Sequence, residues 1–424
     1  MTQPLTINGS PLTDLDKQSG RIEVIDVLRG FTLLGIILVH MTEQYYAGQP
    51  PEQYANFAAR SIADQVVSGF IGMFIQGKFY MIFSFLFGLS FYIQLSKSDG
   101  SISFVTRFFW RLLILFGIGF IHHLHYRGDI LTIYAILGVV LLMTYRLPDK
   151  YLLVIAILLV LDVPAFLTRL KDVIWVPATG GNPFLKTDQN SLLAYYNTIK
   201  SGTYFEILKA NLADFSTKMN FQVMSGRLYI TIGLFLLGLY AGRKNVFEDI
   251  ESNKPLFRKL LKGSLWTLLG CILFSVAFFG GAQMLGIKTS EQLQWMVGGE
   301  VFDIFNTALA IIYVTGILLL FQKEKWRPRL MHFYAAGRMG LTTYLMQTLF
   351  GVLIFFSFGL GLLGEIGAAI AFAIAIGLYI VQIQFSKFWL AHFQYGIFEW
   401  LWRSLTYLKI QPLRKKSNLK VVTA

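Results

Sequence analysis

Apolar residues in this chain fall in long runs, and polar ones collect between them. Stretches near twenty residues, the length that crosses about 30 Å of hydrocarbon, occupy roughly 23–45, 66–95, 104–125, 129–146, 150–167, 222–242, 260–285, 301–321, 338–358 and 366–388. The pattern predicts an all-α fold, a polytopic membrane bundle of about ten transmembrane helices. The run over 66–95 exceeds one perpendicular crossing and predicts a tilt or an interfacial turn. One connection is long, from Thr168 to Phe221. Its opening WVPATGGNP predicts irregular chain, and SLLAYYNTIKSGTYFEILKANLADF predicts an amphipathic helix too polar to span. A lid over the bundle and a passive surface helix are both open readings. The chain divides into a polar segment 1–21, one membrane domain 22–408 that includes the extracytoplasmic segment 168–221, and a basic tail 409–424.

Composition agrees with the pattern. Of 424 residues 55% are hydrophobic and 14% charged, and the mean hydropathy is +0.56, too apolar for an ordinary soluble domain. The net charge of +13 would suggest nucleic acid in a soluble protein. Here it sets orientation, and no nucleic-acid partner is expected. Lys and Arg collect in alternate loops: Lys97, Arg107 and Arg111; Arg146 and Lys150; Arg243 to Lys262; Lys323 to Arg329; and the tail from Lys409. The intervening short loops carry few, such as Arg60, Arg127 and Lys288. Both termini are therefore expected in the cytoplasm. The single cysteine, Cys271, excludes an intrachain disulfide. The first apolar run lacks a small-residue cleavage site and reads as a retained helix.

Ionisable residues inside these runs are the candidate chemistry. A charge at the centre of a lipid-facing helix costs roughly 2.5–3.5 kcal/mol on insertion scales, so such groups face a bundle interior or a wet cavity. In VIDVLRGFTLLGIILVH, Asp26 and Arg29 share a helix face and can pair. His40 lies eleven residues beyond Arg29, about three turns and roughly 16 Å, and points the same way. The bland alternative is a solvated interfacial pair and a capped helix end. Lys78 sits inside GKFYMIFSFLFG, facing a cavity or forming a structural ion pair. FIHHLHYRGDIL crowds His122, His123, His125 and Asp129 at a helix–helix junction. An imidazole beside a carboxylate is a usual base and orienter; the spacing matches no strong zinc motif, and no metal is expected. His40, His122, Asp129, Asp162, Glu300 and Asp303 fall at similar outer depth and suggest one polar vestibule. Arg29, Arg338 and Arg403 fall on the opposite side, where guanidinium groups suit phosphate recognition. Glu399 and Arg403 are also spaced for an i, i+4 surface pair. Gln347 is a mid-membrane amide that needs a partner.

Five segments carry a family resemblance: VIDVLRGFTLLGIILV, GKFYMIFSFLFG, FIHHLHYRGDIL, GRMGLTTYLMQTLF and FEWLWRSLTY, in that order. They resemble the motifs of the YeiB-like family of bacterial inner-membrane proteins, a domain of unknown function, over about Arg21 to Tyr407. The resemblance implies a multi-pass protein of the bacterial plasma membrane, related to transmembrane acyltransferases of the cell envelope. Those pass an acyl group from cytoplasmic acyl-CoA to a sugar across the membrane. Arg29 and His40 are similar to the arginine–histidine pair in the first span of the type 3 acyltransferases. His122, Gly128 and Asp129 match the family's own motif, whereas His123 and His125 lie outside it. The resemblance also extends to the lysosomal heparan glucosaminide acetyltransferase, whose active histidine lies in the loop after its first helix; Met41 to Ser61 here contains no histidine.

The expectation that follows is an O- or N-acyltransferase with acyl-CoA (acetyl-CoA) as donor. Asp26, Arg29, Lys78, Arg338, Gln347 and Arg403 would bind donor or substrate, and His122 or His40, with Asp129 as orienter, would do the chemistry. The acceptor is an envelope glycan, lipid or small molecule, the lipid bilayer is the standing partner, and a homodimer is an open arrangement. A transporter or flippase for a polar or anionic substrate and a non-catalytic membrane scaffold are the alternatives.

Overall fold

The computed structural model describes residues 6–7, 10–11, 22–48, 50–54, 56, 59–98, 102–175, 188–287 and 289–415. Most of the polar N-terminal segment, most of the expected irregular stretch after Trp175, Lys288 and the tail from residue 416 lie outside the described residues. Apart from a minimal antiparallel pairing of Thr6–Ile7 with Ser10–Pro11 and one bridge between Phe393 and Arg414, the described regular structure is helical.

The helices follow the apolar runs. α1 (Glu23–Thr42) stops where Gln44 and Tyr45 take positive φ angles of 53° and 55°. α2 (Ile62–Phe74) begins with a capping box in which Ser61 and Asp64 satisfy each other's backbone N–H groups. It joins α3 (Phe79–Ser96) through a turn at Gly77, whose φ of +86° favours glycine. The long run over 66–95 is thus interrupted rather than merely tilted. α4 (Ile102–His125) and α5 (Leu131–Thr144) form the hairpin that carries the histidine cluster. α6 (Asp149–Val160) and α7 (Val163–Trp175) are one apolar stretch bent by 44°. Helical structure therefore continues past Thr168, and the long connection starts later than its composition suggested.

That connection holds α8 (Gln189–Ser201), α9 (Tyr204–Ala213) and α10 (Phe215–Met224), and α10 meets α11 (Arg227–Arg243) at a 71° bend. α12 (Lys254–Ser275) packs on α13 (Glu291–Phe321). Short helices α14 (Arg327–Leu330) and α15 (Tyr334–Arg338) precede α16 (Gly340–Phe355), α17 (Ala368–His392) and α18 (Ile397–Thr406). Among the described residues, six helices are long and apolar enough to cross a membrane, counting α2 and α3 as one continuous stretch, and up to eight if each bent pair counts as one span; α5 and α16 are apolar but shorter.

Large apolar side chains cover the outside, as expected where lipid is the solvent: Leu265, Trp266 and Leu273 on α12 are 52%, 73% and 60% exposed. Glycines set the tightest contacts inside. A Cβ on Gly337 of α15 would lie 1.8 Å from the Asp26 carbonyl oxygen, and one on Gly30 of α1 would lie 2.0 Å from that of Phe333. α3 and α11 touch through Gly88 and Gly238 in the same manner. The first two of these contacts bring α1 against the segment around α15, and α1 packs on α3 and α17 as well.

Candidate functional site

One cavity of about 1160 Å³ runs beside α1. Arg29 and His40 both line it, so it follows the helix for roughly 16 Å. At the arginine end, Arg29 pairs with Asp26 at 2.5 Å and donates to Ser90 Oγ on α3. Arg111 of α4 lies with its guanidinium 3.9 Å from the Trp402 ring, and Arg338 of α15 completes the basic wall. Between the ends the lining is largely apolar, with the Tyr134 ring packed against two of its phenylalanines and its hydroxyl bonded to Ser84 Oγ at 2.7 Å. Ile36 of α1, Phe83 and Phe87 of α3 and Leu115 of α4 form that middle section.

At the histidine end, His40 Nδ1 is 2.8 Å from the Tyr126 hydroxyl, and both residues line the cavity. His40 Nε2 makes no hydrogen bond among the described residues. Glu43, one turn on, accepts from Gln76 Nε2 at 2.8 Å, and both of these also face the cavity. A phenol can donate to or accept from the imidazole, so Tyr126 holds the ring in either tautomer. The arrangement leaves one ring nitrogen directed at the cavity with its orientation fixed.

His122 is placed differently. A carboxylate only accepts, so His122 Nδ1 donates to Asp129 Oδ1 at 2.7 Å and, in the neutral ring, Nε2 accepts from the Thr348 hydroxyl at 2.8 Å. Both nitrogens are engaged, the side chain is buried, and it is absent from the cavity wall. Asp129 spends its oxygens on structure. It accepts from the backbone N–H of Leu131 and Thr132, from Thr132 Oγ1, and from Lys218 Nζ at 3.1 Å. These bonds cap α5 and tie α10 to the α4–α5 hairpin. His123 continues the network by donating to the Asn211 carbonyl at 2.8 Å. His125 bonds Tyr204 at 2.8 Å.

The remaining sequence candidates divide. Asp26 supports Arg29. Lys78 is fully buried and donates to the carbonyls of Gly72 and Gln76, closing the end of α2, and is absent from the cavity wall. Gln347 donates to Gln382 Oε1 and the Leu33 carbonyl, bridging α16, α17 and α1. Arg403 packs against Tyr395 and Tyr407, and it too is absent from the wall. The expected Glu399–Arg403 pair gives way to another contact: Glu399 accepts from the N–H groups of Leu341 and Thr342 and caps α16. The expected outer vestibule is split. Asp162 and Glu300 are bound by Arg169 at 3.1 and 2.7 Å, behind the wall.

Sequence reasoning passed over Arg111, Tyr126, Lys218 and Arg227, all of which line the cavity. Arg111 carried a legible signal. It precedes His122 by eleven residues, the spacing of Arg29 and His40 in α1.

Compared with known proteins, the chain is 30% identical to the uncharacterized protein YxaH of Bacillus subtilis, over 94% of this chain and 97% of that one. It is 25% identical to the uncharacterized protein YeiB of Escherichia coli, over 93% and 98% of the two chains. The chain belongs to the YeiB-like family. Residues 241–409 also match the family model described as a protein of unknown function, DUF418. An uncharacterized 39.9 kDa protein of Bacillus acidopullulyticus is 27% identical over 94% of this chain and 97% of that one. No solved structure matches. These relatives are bacterial, and the apolar helices make this YeiB-like chain a membrane protein.

Proposed function

We propose that this protein is an acyltransferase of the bacterial inner membrane, with about ten spans, both termini in the cytoplasm, and acyl-CoA as donor. The observation that carries the reading is a cavity of about 1160 Å³, basic at one end and largely apolar in the middle, that meets an oriented imidazole at the other. Arg29, Arg111 and Arg338 would hold the donor phosphates. The apolar middle suits the thioester arm. At the far end, His40 Nε2 takes the proton of an acceptor hydroxyl or amine as it attacks the thioester carbonyl. The carbon–sulfur bond breaks, and the thiolate leaves with the proton held by the imidazolium. Through this step Tyr126 accepts from Nδ1–H. His40, not His122, is the base in this reading, because both His122 nitrogens are engaged.

Calorimetry with acetyl-CoA and free CoA on the purified protein in detergent tests the donor site, beside Arg29→Ala. Micromolar binding that is lost in the variant is the expected result. Folded protein that binds neither ligand would sink the acyl-transfer reading. Flux of a polar solute in liposomes would then support transport through the same cavity.

A further inference from the structure

Arg227 begins α11, and the Gly226 turn, at φ +79°, delivers it into the histidine end of the cavity. Its guanidinium lies 5.3 Å from the ring centroids of both Tyr80 and Phe221. It makes no hydrogen bond or ion pair among the described residues. Neighbouring arginines are committed: Arg127 donates to the Tyr46 carbonyl at 2.9 Å and stacks on Tyr195, and Arg169 binds Asp162 and Glu300. Lys218, on the same wall, is committed to Asp129 and Thr132. The charges of Glu43 and Asp303 interact with Arg227, but neither carboxylate is within ion-pair distance of it. Asp303 is not on the cavity wall.

A guanidinium contacted by two rings keeps its in-plane N–H groups for a partner, and a planar fork suits an oxyanion. Apolar contact also strips water from the cation, which strengthens charge-assisted hydrogen bonds. We infer that Arg227 holds a carboxylate or phosphate of the acceptor, so that the acceptor's hydroxyl or amine lies at His40. The inference rests on the proposed acyl transfer only in naming the bound molecule the acceptor; the anion site stands on the geometry.

Calorimetric titration of the purified full-length protein with inorganic phosphate and, separately, with succinate tests it. Wild type, Arg227→Gln, Arg227→Lys and Arg107→Gln are compared. The expected result is binding that weakens by about tenfold or more in Arg227→Gln and stays within about twofold of wild type in Arg107→Gln, which removes an exposed arginine away from the cavity. The tighter of the two probes identifies the anion class. Should the glutamine variant fail to fold, Arg227→Lys decides, because it keeps the charge and loses the fork; weakening by about threefold or more is expected. Unchanged affinity in the deciding variant, equal loss in Arg107→Gln, or no binding of either ion by folded wild type would overturn the inference. Acetyl-CoA titrated in parallel should bind the Arg227 variants as it binds wild type. Its failure to bind any of the proteins would remove the transfer reading and leave the anion site to stand or fall on the first titrations.

Discussion

Two histidines stand near the same end of the cavity, and their surroundings give them opposite roles. His122 has the partner that sequence logic favours, a buried carboxylate at 2.7 Å. Yet that carboxylate also caps α5 and neutralises Lys218, and the far nitrogen of the ring is taken by Thr348. His40 has the plainer partner, a phenol, and keeps a nitrogen toward the cavity. A strong partner therefore does not identify the reactive imidazole. In the proposed transfer, the base is instead chosen by a ring nitrogen left without a hydrogen bond among the described residues, on a residue that lines the cavity.

Mutation separates the two regions. His40→Ala should lower transfer by about 10²–10⁴-fold, the usual worth of a general base, with a thermal midpoint close to wild type. A stable variant with full turnover would put the chemistry elsewhere. Asp129→Ala leaves Lys218 buried without its counter-charge, and a loss of about 3–5 kcal/mol in unfolding free energy is expected. His122→Ala should cost less, about 1–3 kcal/mol, because it leaves hydrogen-bonding groups rather than a charge unsatisfied. Its turnover per folded molecule should remain near wild type, and loss of turnover at unchanged stability would restore His122 as the base. Tyr126→Phe removes only the orienting contact, so transfer should fall by about tenfold, the worth of one hydrogen bond.

The smallest effect is one of pH, outside the apolar spans. Lys200 bonds Glu365 and holds its carboxyl below the ordinary value of 4.5. Because the folded-state pKa is depressed, the pair's stabilisation is present above that value and is lost as pH falls through the folded one. The protection factors of α8 amides against hydrogen exchange should fall as the pH drops below the ordinary glutamate value in wild type, and Glu365→Gln should remove that pH dependence.

Much of the fold was legible because lipid imposes length and apolarity on a helix, and each of the ten apolar runs meets a helix. The interruption at Gly77 was only half legible, since a glycine inside an apolar run marks a break only once its φ is known. In α1, Asp26, Arg29 and His40 were legible as a set because one helix fixes their spacing. Lys78 was legible as buried but not as a helix-closing donor, because backbone carbonyls leave no mark in sequence. Tyr126, Lys218 and Arg227 were hidden for a different reason. Each gains its place from a contact with a distant segment: Tyr126 with α1, Lys218 with the α4–α5 hairpin, and Arg227 with α3.

The apolar middle of the cavity has a consequence for the membrane around it. A passage wet from end to end would short-circuit any ion gradient stored across that membrane. Ile36, Phe83, Phe87 and Leu115 offer a passing ion neither a carbonyl ladder nor a charge, and stripping its hydration shell there is costly. The same four side chains readily solvate a hydrocarbon or thioester segment. In the proposed transfer, the cavity would therefore insulate against ions while admitting an uncharged chain.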